Sequence, residues 1–207
     1  MPVVPQQLRA ALRPAKQWVT QGAIARRLLP GRPVEVTPDA ALDSGTRHAA
    51  TAHRSFDAMS GILAWLLNLT RDVYPDFSLQ GRDALELGTG KFMMHAAGMY
   101  VCGASSVTTI DKFRQFHPQA MRLALSRPVL ARRYLSPHVD HDMYMTRLRA
   151  LQACDAQLNA MADLGIHYRA PLDLIDADDL RGSFDFMMSY TTFEHVPPRD
   201  IPALLGA

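Results

Sequence analysis

A glycine turn between two short apolar runs constrains this chain more than any other feature. Ala84-Leu85-Glu86-Leu87 reads as a buried strand, and Gly88-Thr89-Gly90 ends it. Glycines at such a junction let the backbone turn sharply and let a ligand approach the peptide plane. A helix is expected next, through Met99, and the free N–H groups at its start are the usual reason such turns hold nucleotides. Val107-Thr108-Thr109-Ile110 is a second, β-branched run ending at Asp111, where a carboxylate can accept both hydroxyls of a ribose.

The pattern continues downstream. Residues 113–164 read as mostly helical, interrupted at Pro128 and at Ser136-Pro137. Ile166-His167-Tyr168 is a third strand candidate and Phe184 to Ser189 a fourth. Strands alternating with helices predict an α/β fold, a Rossmann-like parallel sheet with helices on both faces. Upstream, residues 53–74 place Phe56, Met59, Ile62, Leu63, Leu66, Leu67 and Leu69 on one broad helical face. We therefore expect an irregular or helical N-terminal segment, 1–52, and a partial ligand-binding domain, 53–207.

Within 1–32, Arg9, Arg13, Lys16, Arg26, Arg27 and Arg32 are interspersed with Leu8, Leu12, Trp18, Ile24, Leu28 and Leu29. Such a basic amphipathic stretch is usually a helix packed on its own domain and less often one that touches an anionic membrane surface. Pro30, Gly31, Pro33 and Pro38 then leave at most a short extended piece at Val34 to Val36.

Composition narrows the functional classes. With 48% hydrophobic and 20% charged residues the chain is globular in type, and its net charge of +2 gives no argument for nucleic acid. No Lys/Arg run is interleaved with aromatics. The longest apolar stretch, Ile62 to Leu67, falls far short of the roughly 20 residues that cross a bilayer, so no stable membrane insertion is expected. Cys102 and Cys154 have no metal-type spacing and read as free, buried thiols of a reducing compartment. The first residues lack the pattern of a signal peptide. A cytoplasmic protein is the expectation.

The glycine turn departs from two better-known patterns. A dinucleotide fingerprint wants a further glycine three residues after Gly90, where Met93 stands, and the glycine spacing of a Walker loop before Lys91 is absent. A ribose-bearing ligand without a pyrophosphate fits better. Leu85 to Gly90, then Gly103-Ala104 before Val107 to Asp111, resembles the first two motifs of class I S-adenosylmethionine-dependent methyltransferases, of the type 11/12 kind. Gly182 to Ser189, followed by Phe193-Glu194-His195-Val196-Pro197-Pro198, is similar to that family's fourth strand and the loop behind it. The four segments occur in the family's order and span about residues 80–205.

The resemblance implies the cofactor, S-adenosyl-L-methionine, and a set of residues. Gly88, Thr89 and Gly90 would line its methionine part, Glu86 would orient the turn or meet the amino group, and Asp111 would hold the ribose hydroxyls. Asp173, or failing it Asp176, would border the adenine, and Ser189 and Tyr190 would sit beneath the methionine. Phe92 stands where the family's third glycine is usual, so its ring must point away or narrow the site. The resemblance also implies a seven-stranded sheet in the order 3-2-1-4-5-7-6, of which four strands are legible, with Ala203 to Ala207 inside the helix expected after strand four. A fragment with an open strand-four edge is expected, prone to self-association or covered by a partner chain.

Plainer roles stand beside these. Asp111 could be a helix N-cap. His195 could be a base for a substrate hydroxyl, or Glu194 and His195 could simply fix their loop. Ser136-Pro137-His138-Val139-Asp140-His141-Asp142 carries ligand-type side chains, but sequence-adjacent polar residues of this kind are usually solvated, and no metal is expected. The expected activity is O- or N-methyl transfer to a small molecule or sugar. A non-catalytic S-adenosylmethionine-binding subunit and a nicotinamide-dependent oxidoreductase remain as alternatives.

Overall fold

The protein is described by a computed structural model over residues 40–126, 128–180, 182–190 and 192–202, with the backbone alone for 40–55 and 194. The basic N-terminal stretch, the extended piece at Val34 to Val36 and the chain end at Ala203 to Ala207 lie outside the described residues. From Asp43 onward the chain forms one compact unit.

Helix α1, Ala40–Val73, starts well before the expected residue 53. Ala40, Ala41, Leu42, Ala49, Ala50 and Ala52 explain the difference. They are strong helix formers with too little apolar periodicity to announce a buried face. Further along, Phe56, Leu63 and Leu67 recur at helical spacing and are buried.

The remaining elements alternate. They are β1 Asp83–Leu87, α2 Met94–Val101, β2 Ser106–Ile110, α3 Pro118–Ser126, α4 Ala131–Leu135, α5 His141–Ala153, α6 Leu158–Asp163, β3 Ile166–Arg169 and β4 Phe186–Ser189. Short 3₁₀ turns lie at Leu174–Asp176, Asp178–Leu180 and Phe193–His195. All pairings are parallel and the strand order is β3-β2-β1-β4. The described residues thus form a four-stranded, Rossmann-like α/β sheet. The chain reverses its direction of travel across the sheet between β1 and β4, which makes their carboxyl ends the switch point where open α/β sheets bind ligands.

Alternation along the strands sorts the core into two parts. Ala84, Val107, Ile166 and Met188 face the helices and join the main cluster with Phe56, Leu63, Met99, Val101, Tyr144 and Leu148. Leu85, Leu87 and Ile110 face the other way and pack with Leu174 and Ala177. Among the described residues that second face carries 3₁₀ turns rather than the α-helices expected of it. The connection from β3 to β4 explains this, because Pro171, Asp173, Asp176, Asp178, Asp179 and Gly182 favour turns and caps over helix interiors. Strand four is open on this second face, where Met187 is 45% exposed.

Two polar devices tie the helical elements and their turns to one another. The Asp57 carboxylate accepts from the backbone N–H groups of Val129, Leu130 and Ala131 at 3.1, 2.9 and 2.7 Å, tying α1 to the start of α4. Arg147 of α5 donates to the Tyr100 and Ala104 carbonyls at 2.9 and 2.7 Å and lies over the Tyr100 ring. Cys102 is fully buried, and desolvation raises its thiol pKa to about 12, while Cys154 is half-buried and both are free.

Candidate functional site

The glycine turn is built from β2 as much as from β1. Gly88 and Thr89 donate backbone N–H bonds to the Ile110 carbonyl at 2.8 and 3.2 Å, hooking the turn over the end of β2. The Asp111 carboxylate then accepts from the Gly90 N–H through Oδ2 and from the Phe113 N–H through Oδ1, each at 3.0 Å. The Asp111 carbonyl accepts from Leu172 N–H at 3.0 Å. One residue thereby fixes the turn, its own loop and the loop after β3. It is not a helix N-cap, because α3 begins only at Pro118.

Gly88 and Gly90 adopt positive φ, +89° and +62°, the left-handed region that favours glycine. At Gly88 a Cβ would lie 1.8 Å from the Thr192 hydroxyl oxygen, and that hydroxyl donates to the Leu87 carbonyl at 3.0 Å. At Gly90 a Cβ would meet nothing within 4 Å. Gly88 is therefore closed by the protein's own loop, whereas Gly90 is open on a cleft.

That cleft, of about 470 Å³, lies at the carboxyl ends of β1, β2 and β4. Among the expected site residues Gly88, Gly90, Asp111, Asp173, Tyr190 and His195 border it. Asp173 caps the first 3₁₀ turn, accepting from Ile175 N–H at 3.3 Å, and pairs with the exposed Lys112 ammonium at 2.9 Å. Hydrogen bonding to Lys112 lowers the pKa of Asp173 and raises that of Lys112. Asp176, the second choice for the adenine border, does not line the cleft. Phe92 packs against the main core, so the ring does not narrow the cleft.

Three expected residues lie elsewhere. Ser189 ends β4 on the side of Leu87, with its hydroxyl buried and unpartnered. Glu86 faces α2, on the helix-covered side of the sheet, and is 1% exposed. Its Oε2 accepts from the Thr109 hydroxyl at 2.8 Å and its Oε1 meets His95 Nδ1 at 3.1 Å. Thr89 is drawn into the same network through its hydroxyl contact with Thr109. Glu86 thus does not reach the cleft to meet an amino group; the strand's two-residue period turns it inward.

Sequence reasoning missed several participants. Lys112, Phe113, Leu172, Ile175, Thr192 and Asp200 line the cleft. Lys112 and Phe113 directly follow Asp111 and could have been found from that position. Thr192 and Asp200 come from a loop whose path only the fold sets. Met93, where a dinucleotide fingerprint would have its third glycine, takes the left-handed conformation a glycine would supply, φ 54° and ψ 35°, with its side chain fully buried.

Within segment 136–142 one carboxylate has a structural role. Asp140 caps α5 by accepting from Met143 N–H at 2.9 Å, and His138 is buried while His141 and Asp142 are exposed. Among the described residues no three metal-ligating side chains converge, and no helix is long and apolar enough to cross a membrane. No protein-family model matches the chain, and comparison with curated proteins and with solved structures gave no match.

Proposed function

We propose that this chain binds S-adenosylmethionine in the cleft at the ends of β1, β2 and β4 and directs methyl transfer to an oxygen or nitrogen of a small molecule or sugar. The observation that carries the reading is the joining of an open glycine turn to a buried carboxylate at the switch point. Gly90 leaves bare backbone facing the cleft, and Asp111 lines the same space at 8% exposure. The residues fit such a ligand. A carboxylate has about four acceptor positions, and the two backbone bonds to Asp111 leave capacity for a vicinal diol.

The bound sulfonium supplies an already activated methyl group, so the protein's task is alignment and exclusion of water. Asp111 fixes the ribose end, the Leu172 and Ile175 side chains give an apolar wall, and the Lys112–Asp173 pair borders it. Tyr190 and His195 stand at the β4 end of the cleft, where an acceptor would enter. There the His195 imidazole would take up the acceptor's proton, a role that suits histidine chemistry near neutral pH.

A nicotinamide-dependent enzyme would use the same aspartate, so the two readings are separated by ligand. Thermal melts with S-adenosylhomocysteine and with NAD⁺ provide the test. A rise in melting temperature with the first and none with the second is expected. The reverse pattern would replace the methyltransferase reading by the oxidoreductase one.

A further inference from the structure

Behind the glycine turn lies a polar network that the cleft itself does not use. Thr109 donates its one hydroxyl proton to Glu86 Oε2 at 2.8 Å, so the Thr89–Thr109 contact is donated by Thr89. Glu86 Oε1 meets His95 Nδ1 at 3.1 Å. A carboxylate only accepts, so Nδ1 carries the proton and, in the neutral ring, Nε2 is left as an acceptor. Nε2 is buried and has no partner. A buried acceptor left without a donor is destabilising. With a neutral imidazole the Glu86–His95 pair also holds a net negative charge inside the protein, on side chains 2% and 8% exposed.

Only one described aromatic ring packs on that histidine. Tyr190 meets it edge to face at 5.5 Å between centroids and 71° between planes. Tyr190 also lines the cleft beside Gly88 and Thr192 and is 39% exposed. A group that passes Tyr190 and satisfies Nε2 must donate a hydrogen bond, and the buried negative charge favours a cationic donor. A primary ammonium meets both conditions.

We infer that His95 Nε2 accepts from the α-ammonium at the amino-acid end of the cleft's ligand. Glu86 acts through His95 rather than by contact, and Tyr190 turns aside to admit the group. This rests on the reading of the cleft given above and deepens it: the amino-acid end is recognised one side chain beyond the acidic residue of β1.

Calorimetric titration with two ligands tests this. S-adenosylhomocysteine carries the ammonium, and 5′-methylthioadenosine shares the thioether nucleoside but lacks the amino-acid end. His95→Asn keeps an amide near Nδ1 for Glu86 and removes the acceptor at Nε2. We expect it to weaken S-adenosylhomocysteine about 10- to 100-fold, the range of a charge-assisted hydrogen bond, and to leave 5′-methylthioadenosine unchanged. His95→Gln, whose amide reaches the Nε2 position, recovers part of the loss. Glu86→Gln preserves shape, removes the charge and gives the same selective loss, which keeps the test open if His95→Asn does not fold. Wild-type binding of S-adenosylhomocysteine with no change in either variant, or an equal loss of both ligands, overturns this inference alone. A wild-type chain that binds neither ligand overturns the underlying reading as well.

Discussion

At the scale of single residues, Gly88 and Gly90 share a left-handed backbone but answer to different neighbours. A methyl group at Gly88 would drive into Thr192, 1.8 Å from its hydroxyl oxygen, and would also strain φ +89°. Strain and overpacking together set an expected cost of roughly 2–5 kcal/mol for Gly88→Ala. At Gly90 the same methyl group meets open space, so Gly90→Ala carries only the left-handed cost of about 1–2 kcal/mol. The methyl group nevertheless projects where a ligand would approach the turn. Urea melts and calorimetric titration on both variants should therefore separate. The first loses stability, whereas the second keeps its fold and loses affinity for S-adenosylhomocysteine. A Gly88→Ala protein that melts like the wild type would contradict the close approach of Thr192.

At the scale of elements, the packing of α1 against the segment before α5 should carry a pH dependence. His138 is buried, and desolvation, with a further contribution from the Arg71 charge, holds its imidazole below its ordinary range, against a smaller opposing pull from the Ala64 backbone. The depressed value means that the folded state resists protonation that the unfolded chain accepts below about pH 6.5. Stability from this group is complete above that pH and is lost as pH falls through the folded value. Denaturation midpoints between pH 7 and 5 should decline for the wild type and decline less for His138→Gln. Equal slopes would place the pH dependence elsewhere. The four strands and their parallel arrangement were legible in the sequence because short β-branched or apolar runs end at Gly88, Asp111 and comparable stops. The start of α1 was not legible, since an alanine-rich helix carries little periodicity, and neither was the second face of the sheet. Within the site, Asp111 and the glycines were legible from their strand ends. The inward turn of Glu86 depends on a register that Ala84↔Val107 and Glu86↔Thr109 pairing sets, and His95 becomes meaningful only once that pairing is known.

At the scale of the whole molecule, β4 is the last strand in the order β3-β2-β1-β4, and among the described residues its outer edge is unpaired. Exposed Met187 lies on that strand. Open, apolar edges invite pairing, and sedimentation velocity is expected to show concentration-dependent self-association that Met187→Lys reduces. A wild-type monomer at all concentrations would contradict it. The same sheet places the glycine turn, Asp111 and the β4 loop around one cleft, where the ligand is expected to bind. The most direct measurement of that binding is calorimetric titration of the full chain with S-adenosylhomocysteine, beside Asp111→Asn, which retains an acceptor for the loop but removes the carboxylate. One-site binding by the wild type is expected, weakened about 10- to 100-fold in the variant through loss of charge-assisted bonds. No binding by the wild type, or equal binding by both proteins, would contradict it.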